Sequence, residues 1–188
     1  MRRDHLYDDL LAAAIQLASS RLSLAIPSLR AVARACDVSA TAVYRHFASQ
    51  SDLNRAVLLA VDSSFVGAVT SADDPGRAPR ERLRLLAYAY LGWGLANPGL
   101  YQLRFESADQ LGDDHVHTDG ADMLLAQIGE LIRASATASP VTATDLWAGM
   151  HGLTSLRVHK PGHRWHEDGP AHIDRLLTAW GLGPTGVS

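Results

Sequence analysis

The stretch SLRAVARACDVSATAVYRHFASQSDL, residues Ser28 to Leu53, decides the fold of this chain. Ser28 precedes apolar residues at helical spacing, and a serine at that position can cap a helix by accepting a backbone N–H. Asp37-Val38 is typical of a tight turn, and Ser39 can cap a second short helix directly after it. Two short helices joined by such a turn form a helix-turn-helix, whose second helix fits the major groove of DNA.

The second helix of this motif has only two large apolar residues, Val43 and Phe47, four positions apart. Both lie on one face, so the opposite face carries a hydroxyl, a phenol, a guanidinium and an imidazole. Ala40 and Thr41 come first along the helix and are placed to read base edges. Arg45 can hold a guanine with two hydrogen bonds or, if it tilts the other way, meet a phosphate.

The same stretch resembles the DNA-binding domain of TetR-family transcriptional regulators, most clearly in its Val-Tyr-Arg-His-Phe segment. Further on, ANPGLYQLRF (residues 96–105) and LWAGMHGL (residues 146–153) are similar to the C-terminal domain of the TetR subgroup named for a Trp-His-Gly signature. The resemblance implies an all-α fold, with a three-helix helix-turn-helix head and a helical-bundle body for ligand binding and dimerisation. It also implies that Tyr44 and His46 hold backbone phosphates, with packing of Tyr44 against the next helix as the alternative.

Two positions of the head depart from the family pattern. Gln50 stands where a lysine is common, and Thr41 stands where a glycine is usual. Gln50 can donate a hydrogen bond to a phosphate but releases no counterion, which predicts weaker and less salt-sensitive binding. The predicted DNA-binding residues are Ser28, Arg30, Ser39, Ala40, Thr41, Tyr44, Arg45, His46 and Gln50.

Charge is divided unequally along the chain. Residues 1–60 carry seven arginines and five aspartates, net +2, whereas residues 61–188 carry ten lysines and arginines against fifteen acidic residues, net −5. This distribution fits a basic DNA-facing head on an acidic body. The sequence has no run of eighteen apolar residues, and its single cysteine, Cys36, excludes an internal disulfide. We therefore expect a soluble cytoplasmic protein with no membrane partner.

Periodicity predicts helices along the rest of the chain. An apolar stripe marks the first helix, and Leu100 to Phe105 is expected to be a short amphipathic turn after Asn97-Pro98-Gly99 ends a helix. The predicted helices cover residues 4–20, about 50–72, 79–96, 121–132, 144–159 and 170–180, and the stripe of the first comprises Leu6, Leu10, Ala13, Ala14 and Leu17.

The segment Asp73-Asp74-Pro75-Gly76 breaks the helical pattern and suits a domain boundary. We accordingly expect a helix-turn-helix domain in residues 1–50, a connecting helix at about 50–72, and a ligand-binding and dimerisation domain in residues 73–188.

Aromatic residues on the body helices can line one apolar cavity, the usual site in all-helical sensors, with Arg104 and His151 as its polar anchors. Aromatic residues at helical spacing fit a plain core as well, and that alternative stays open. The predicted ligand-binding residues are Tyr90, Trp93, Tyr101, Arg104, Phe105, Trp147, Met150 and His151.

Apolar residues near the end of the chain predict self-association. Leu176, Leu177 and Trp180 would be exposed on a terminal helix, so we expect the last two helices to form a homodimer interface. The predicted function is a ligand-responsive repressor that binds a palindromic operator in double-stranded DNA as a dimer and is released by a small-molecule effector.

Three alternatives to this function stay open. The first is an activator or a ligand-independent architectural DNA binder with the same head. The second is a metal-responsive sensor, suggested by clustered histidines, although their spacing matches no zinc signature. The third is a small-molecule binding protein or enzyme with a vestigial head. We found no phosphate-binding loop and no nucleophile elbow, so we predict no catalytic residues, no cofactor and no metal site. The histidines are His115, His117, His159, His163 and His166.

Overall fold

The computed structural model describes residues 5–19, 25–106, 119–135 and 140–182 of the chain. These described residues form helices and no strands, which confirms the predicted all-α fold. The helices are α1 (Leu6–Ser19), α2 (Leu29–Ala35), α3 (Ala40–Tyr44), α4 (Gln50–Thr70), α5 (Pro79–Ala96), α6 (Pro98–Glu106), α7 (Asp119–Ala134), α8 (Ala143–His159) and α9 (Gly169–Ala179).

The chain forms two compact units. Unit 1 consists of Met1–Ser63 and Asn97–Thr118, and unit 2 consists of Ser64–Ala96 and Asp119–Ser188. The helix α4 therefore begins in unit 1 and ends in unit 2, and the chain returns to unit 1 for α6. The functional division into a DNA-binding and a ligand-binding domain stays a prediction.

The helices α2 and α3 form the predicted helix-turn-helix in unit 1. The hydroxyl of Ser28 accepts the backbone N–H of Ala31, and the hydroxyl of Ser39 accepts that of Ala42, each at 3.2 Å. Both predicted caps are thus confirmed. Between the helices Asp37 has a φ of 53°, a left-handed conformation that aspartate tolerates better than most residues do.

The recognition helix α3 is shorter than the stretch from Ser39 to Phe47 that suggested it. It ends at Tyr44, and Arg45 is its C-cap. The side chains of Val43 and Phe47 are 0% and 2% exposed, so both predicted apolar anchors are confirmed. Phe47 also donates its N–H to the carbonyl of Val43 at 2.9 Å, which continues the last turn beyond the helix.

The helix α1 packs on α2 and α6 within unit 1. Leu10, Ala14 and Ala18 form its buried face at the i, i+4, i+8 spacing of a helix. Leu17, which the sequence places on the apolar stripe, is instead 38% exposed. The buried stripe is therefore narrower than predicted.

The segment from Leu100 to Phe105, expected as a short turn, belongs to a nine-residue helix, α6. Pro98 is its first residue, a position where the missing N–H of proline costs no hydrogen bond. The carbonyl of Asn97 accepts the N–H of Tyr101 at 2.8 Å, so the residues that end α5 also begin α6. The helix α5 ends at Ala96, directly before Asn-Pro-Gly, as predicted, whereas the prediction of a short turn after it was wrong.

The helix α4 is, by length and composition alone, apolar enough to cross a membrane, the one such helix among the residues described. One face of this helix is nevertheless inside the protein, where five apolar side chains are each at most 2% exposed. A core helix of this kind passes the same test of length and composition. These residues recur at every fourth position and are Leu53, Val57, Val61, Phe65 and Val69.

The helix α5 is central to unit 2, where it contacts α7, α8 and α9. Four residues of its predicted apolar stripe are buried. They are Leu83, Leu86, Tyr90 and Trp93.

The two last helices of unit 2 begin with side-chain caps. Thr142 and Asp145 form a capping box at the start of α8, and Asp168 caps α9. Gly169 allows α9 to lie against α5, because a Cβ there would collide with the side chain of Leu91.

Asp73, in the connection between α4 and α5, is held by three hydrogen bonds within unit 2. Arg82 donates to its two carboxylate oxygens at 2.6 and 2.7 Å, and the amide of Gln127 donates to the second oxygen at 2.6 Å. The Asp73 side chain is only 10% exposed. The hydrogen bond from Arg82, together with its positive charge, lowers the pKa of Asp73. This carboxylate therefore fastens α5 and α7 to the segment that follows α4.

Replacing Asp73 with asparagine should lower the free energy of unfolding by about 2 kcal/mol at pH 7, since charge-assisted hydrogen bonds are lost. The contribution of Asp73 is complete above the unfolded-state pKa of about 3.9 and is lost as pH falls through the lower folded-state pKa. The difference from wild type should therefore shrink in acid, as measured by urea unfolding at pH 7 and pH 3.

Asp74→Asn is the matched control, because the ion pair between Asp74 and Arg77 is exposed to solvent. Its urea midpoint should hardly change. If Asp73→Asn lowers the free energy of unfolding equally at pH 7 and at pH 3, the role assigned to the carboxylate is contradicted.

Candidate DNA interface and interior ligand site

The helix α3 presents a polar face on the surface of unit 1. Tyr44 is 51% exposed, and Thr41, Arg45 and His46 beside it are also exposed. Eight of the nine predicted DNA-binding residues share this exposure, whereas Gln50 is half-buried. The eight are Ser28, Arg30, Ser39, Ala40, Thr41, Tyr44, Arg45 and His46.

Tyr7 of α1, which is not part of the helix-turn-helix, packs beside this face of α3. Its ring centroid lies 5.1 Å from that of Phe47 and 6.3 Å from that of His46. Tyr7 thus limits where the imidazole of His46 can point. Sequence reasoning missed Tyr7 because it lies beside the apolar stripe of α1 rather than on it.

The amide of Gln50 is engaged within unit 1. Its oxygen accepts the N–H of Leu29 at 3.0 Å, and its nitrogen donates to the carbonyl of Pro27 at 3.1 Å and to Asn54 at 2.9 Å. These bonds fasten the start of α2 to the start of α4. A phosphate contact by Gln50 would have to replace one of them, because an amide nitrogen has two hydrogens to donate.

Gln50→Ala should lower the free energy of unfolding by about 1 to 2 kcal/mol, because the N–H of Leu29 and the carbonyl of Pro27 lose their partner. Chemical denaturation measures this loss. Gln16→Ala, at an exposed position of α1, is the control and should not lower stability. An equal effect of the two substitutions would show that Gln50 does not fasten α2.

Four of the predicted ligand-binding residues lie together in unit 2. The hydroxyl of Tyr90 is 3.5 Å from Nδ1 of His151, and this contact joins α5 to α8. Met150, next to His151, is 3% exposed. Trp93 is also buried, and its indole N–H donates to the hydroxyl of Ser64 at 3.2 Å.

Phe65 of α4 completes the aromatic cluster in this unit. Its ring meets those of Tyr90 and Trp93 edge-to-face, at centroid distances of 5.0 and 5.3 Å. Such a geometry favours aromatic pairs beyond the area that they bury. Phe65 was not predicted as a site residue, although it continues the apolar face of α4 at the fourth position after Val61.

Of the other predicted ligand-binding residues, Trp147 lies beside His151 in unit 2, with ring centroids 6.2 Å apart, and three lie in unit 1. Tyr101, Arg104 and Phe105 belong to α6 in unit 1, where the Arg104 guanidinium lies over the Phe105 ring at 4.4 Å. Arg104 also forms a mostly buried ion pair with Asp62, with Nε 2.9 Å from the carboxylate oxygen. Trp147, on α8, is 41% exposed. The eight residues therefore do not line one enclosed space within either unit.

A cavity of about 190 Å³ occupies another part of unit 2, between the start of α5 and α9. It is not lined by any predicted ligand-binding residue. Nearby, burial together with a hydrogen bond to Asp174 raises the pKa of Tyr88 to about 12. The walls carry charges of both signs over an apolar base and include Arg80, Glu81, Arg84, Asp174, Leu177 and Leu182.

Within the described residues, the histidines that suggested a metal sensor do not form a metal site. Residues 5–19, 25–106, 119–135 and 140–182 contain no group of three His, Cys, Asp or Glu side chains able to hold a metal ion. His115 and His117 lie outside the described residues. His163 instead packs on Trp165, with ring centroids 4.6 Å apart.

A helix-turn-helix with an exposed polar face, followed by a helical unit with an aromatic interior, defines the class of helix-turn-helix regulators with an all-helical body. Residues 83–180 match the family model described as tetracyclin repressor-like, C-terminal domain. The chain belongs to the TetR family of transcriptional regulators. This match does not confirm the Trp-His-Gly subgroup, which stays a prediction. No curated protein matches the chain in sequence.

Solved structures share the fold over nearly the whole chain. A bacterial regulatory protein of the TetR family from Rhodococcus RHA1 is 21% identical, with a TM-score of 0.74 over 99% of this chain and 100% of that one. The fatty acid degradation regulator FadR from Bacillus halodurans is 15% identical, with a TM-score of 0.70 over 93% of each chain. The multidrug binding protein EbrR complexed with imidazole is 24% identical, with a TM-score of 0.63 over 100% of this chain and 95% of that one.

Proposed function

We propose that this protein is a homodimeric, ligand-responsive repressor that binds a palindromic operator and is released from it by a small-molecule effector in the cytoplasm. The observation that carries the proposal is the face of α3, where polar side chains stand exposed over the buried anchors Val43 and Phe47. A helix held in this way can enter the major groove without losing the contacts that fold it.

Each predicted DNA contact has a chemical role in this proposal. Ala40 and Thr41, at the start of α3, read base edges, and Arg45 binds a guanine or a phosphate. Tyr44 and His46 contact phosphates, as the resemblance to the family implies, with Tyr7 bracing His46. Because the amide of Gln50 is already bonded within unit 1, we assign it chiefly to the support of α2.

Arg45→Ala should weaken operator binding by about 10- to 100-fold, because one bidentate base contact contributes about 1 to 3 kcal/mol. The test is a low-salt titration of the purified protein against DNA from immediately upstream of its coding region. Arg133→Ala, which removes an exposed arginine of α7 in unit 2, is the matched control and should bind as wild type does.

Selection from random duplexes follows if the upstream DNA is not bound. Failure to select any sequence would count against a DNA-binding function and for a vestigial head. Equal weakening by the two arginine substitutions would instead contradict the assignment of α3 as the recognition helix.

We propose that α8 and α9 form the dimer interface, but with a different set of apolar residues than the sequence suggested. Leu177 is 1% exposed and belongs to the interior of its own unit. The most exposed large apolar side chain of these two helices is Leu156 on α8, at 50%. Exposed apolar surface of this kind favours a protein partner, and a two-fold interface would bury it on both chains.

Leu156→Glu should raise the dimer dissociation constant by more than tenfold, since two-fold symmetry introduces each buried carboxylate twice. Sedimentation velocity over a range of concentrations measures the change. Leu95→Glu, at a leucine of α5 that is 45% exposed, is the control and should leave the dimer intact. A Leu156→Glu protein that sediments as wild type does would place the interface elsewhere.

The effector site that we propose is the aromatic interior of unit 2 around Tyr90, Trp93, Met150 and His151. The interior is mostly apolar with a few polar groups, as ligand sites are. Two proteins of the same fold are named for related properties, one as a regulator of fatty acid degradation and one as a multidrug binding protein. Arg104 belongs to unit 1, where its charge is balanced by Asp62, so we give it a structural role instead. The effector can act only if it binds better to the arrangement that does not fit DNA.

A further inference from the structure

The hydroxyl of Thr154, in α8, is buried in unit 2 without a hydrogen-bond partner. The side chain is 0% exposed, and Oγ1 has neither a donor nor an acceptor within reach. Threonines and serines in helices commonly donate to the carbonyl four residues earlier. Thr70, Ser135 and Thr178 do so in this chain, at 2.7 to 2.8 Å. Thr154 is different, and a buried hydroxyl without a partner destabilises the folded state.

Two further polar groups stand near Thr154. His151 precedes it by three positions, so the two side chains are neighbours on the surface of α8. The hydroxyl of Tyr90 on α5 lies 3.5 Å from the ring of His151, longer than a strong hydrogen bond. Met150 and Val158, buried on α8 within one turn of Thr154, supply apolar surroundings. Thr154 and His151 are thus neighbours on α8, and Tyr90 reaches His151 from α5.

The charge of this interior restricts what can bind there. Among the described residues, the buried polar side chains are Ser135 and Thr154, and neither is charged. The guanidinium of Arg104, predicted as an anchor, belongs to unit 1, where Asp62 balances its charge. A carboxylate or ammonium group taken into this interior would be desolvated at a large cost in free energy unless it met an opposite charge. The cation nearest to Thr154 along α8, Arg157, is already engaged: its guanidinium lies over the Trp165 ring at 4.7 Å, and it donates to the carbonyl of Glu167 at 3.0 Å.

We propose that Thr154, Tyr90 and His151 form the polar anchor of the effector site, and that the effector is an uncharged molecule with one oxygen, a hydroxyl or a carbonyl, on an apolar body. The ligand oxygen is the missing partner of Oγ1. Phe65 and Trp93, which border Tyr90, contact the apolar body. This inference rests on the effector site proposed above and adds its polar residue and its ligand class.

Entry of such a molecule requires α5 and α8 to move apart, because protein interiors are close-packed. Such a movement gives the ligand a preference for the arrangement with separated helices, and a ligand shifts the equilibrium only by the difference between its affinities for the two arrangements. The hydrogen bond that the ligand gives to Thr154 compensates part of the cost of separating the helices.

The first test uses the protein without DNA or ligand. Thr154→Val keeps the shape of the side chain and removes the hydroxyl, so the midpoint of thermal unfolding should rise by about 2 to 4 °C. Thr70→Val is the matched control, because its hydroxyl is bonded to the carbonyl of Val66 and its loss should not raise the midpoint. A lower midpoint for Thr154→Val would overturn the proposal, since the hydroxyl would then have a partner within the protein.

The second test measures binding of three uncharged probes, 4-ethylphenol, 1-octanol and 2-nonanone, each paired with a carboxylate of matched size. These are 4-ethylbenzoate, octanoate and nonanoate, and binding is followed by calorimetry and tryptophan fluorescence. At least one uncharged probe should bind, its carboxylate should not, and Thr154→Val should weaken that binding about tenfold. Stronger binding of the carboxylates, no binding of any of the six, or unchanged affinity in the variant would overturn the proposal.

The binding readout separates this inference from the proposed function. Probe binding that is lost in Thr154→Val, in a protein that binds no DNA, would support the site and refute the regulator. Operator binding by a protein that binds none of the probes would support the regulator and refute the ligand class.

Discussion

A helix of five residues cannot hold itself together in water, because nucleating a helical turn fixes many dihedral angles for few hydrogen bonds. The recognition helix α3 is such a helix, and it exists because Val43 and Phe47 are buried beneath it. Its first turn depends on the hydroxyl of Ser39, which accepts a backbone N–H. The exposed face of α3 is therefore polar without loss of stability, since no side chain on that face is needed to fold it. The remainder of unit 1 supports this one short element.

Polar side chains fasten α4 at its start, at its middle and just beyond its end. Gln50 holds the start of α2, Asp62 pairs with Arg104 of α6, and Asp73 binds Arg82 and Gln127. The first two contacts lie in unit 1 and the third in unit 2. Since α4 is continuous from one unit into the other, a change of its position in unit 2 must be carried along the helix. This continuity of α4 is the physical basis of the effector response that we propose.

The interior of unit 2 combines stabilising aromatic contacts with one unsatisfied hydroxyl. Phe65, Tyr90 and Trp93 pack edge-to-face, as expected of a well-formed core. Thr154 lies on α8 within the same unit and lacks a partner, whereas the hydroxyls of Thr70, Ser135 and Thr178 find one. Proteins commonly keep such local inconsistencies where function requires them. The aromatic cluster and the hydroxyl therefore do not have to be explained as either core or site, because one interior can serve as both.

The sequence by itself determined the helices, the turn of the helix-turn-helix and its caps. These features depend on residues close together in the chain: Ser28 and Ser39 cap within three positions, and the period of the apolar residues marks the buried face of α5. Where two local signals competed, as at Asn97-Pro98-Gly99, the prediction failed, because proline can begin a helix as well as follow one.

Only the tertiary structure decided which polar and aromatic side chains find partners. Arg104 looked like a ligand anchor until Asp62, 42 positions earlier, was placed beside it, and Gln50 looked like a phosphate donor until its amide met Pro27 and Leu29. Trp147, expected to line an interior cavity, is exposed, and Leu177, expected to be exposed on the last helix, is buried. The physical reason is that periodicity gives the face of a helix, whereas the neighbour on that face is supplied by residues far away in the chain.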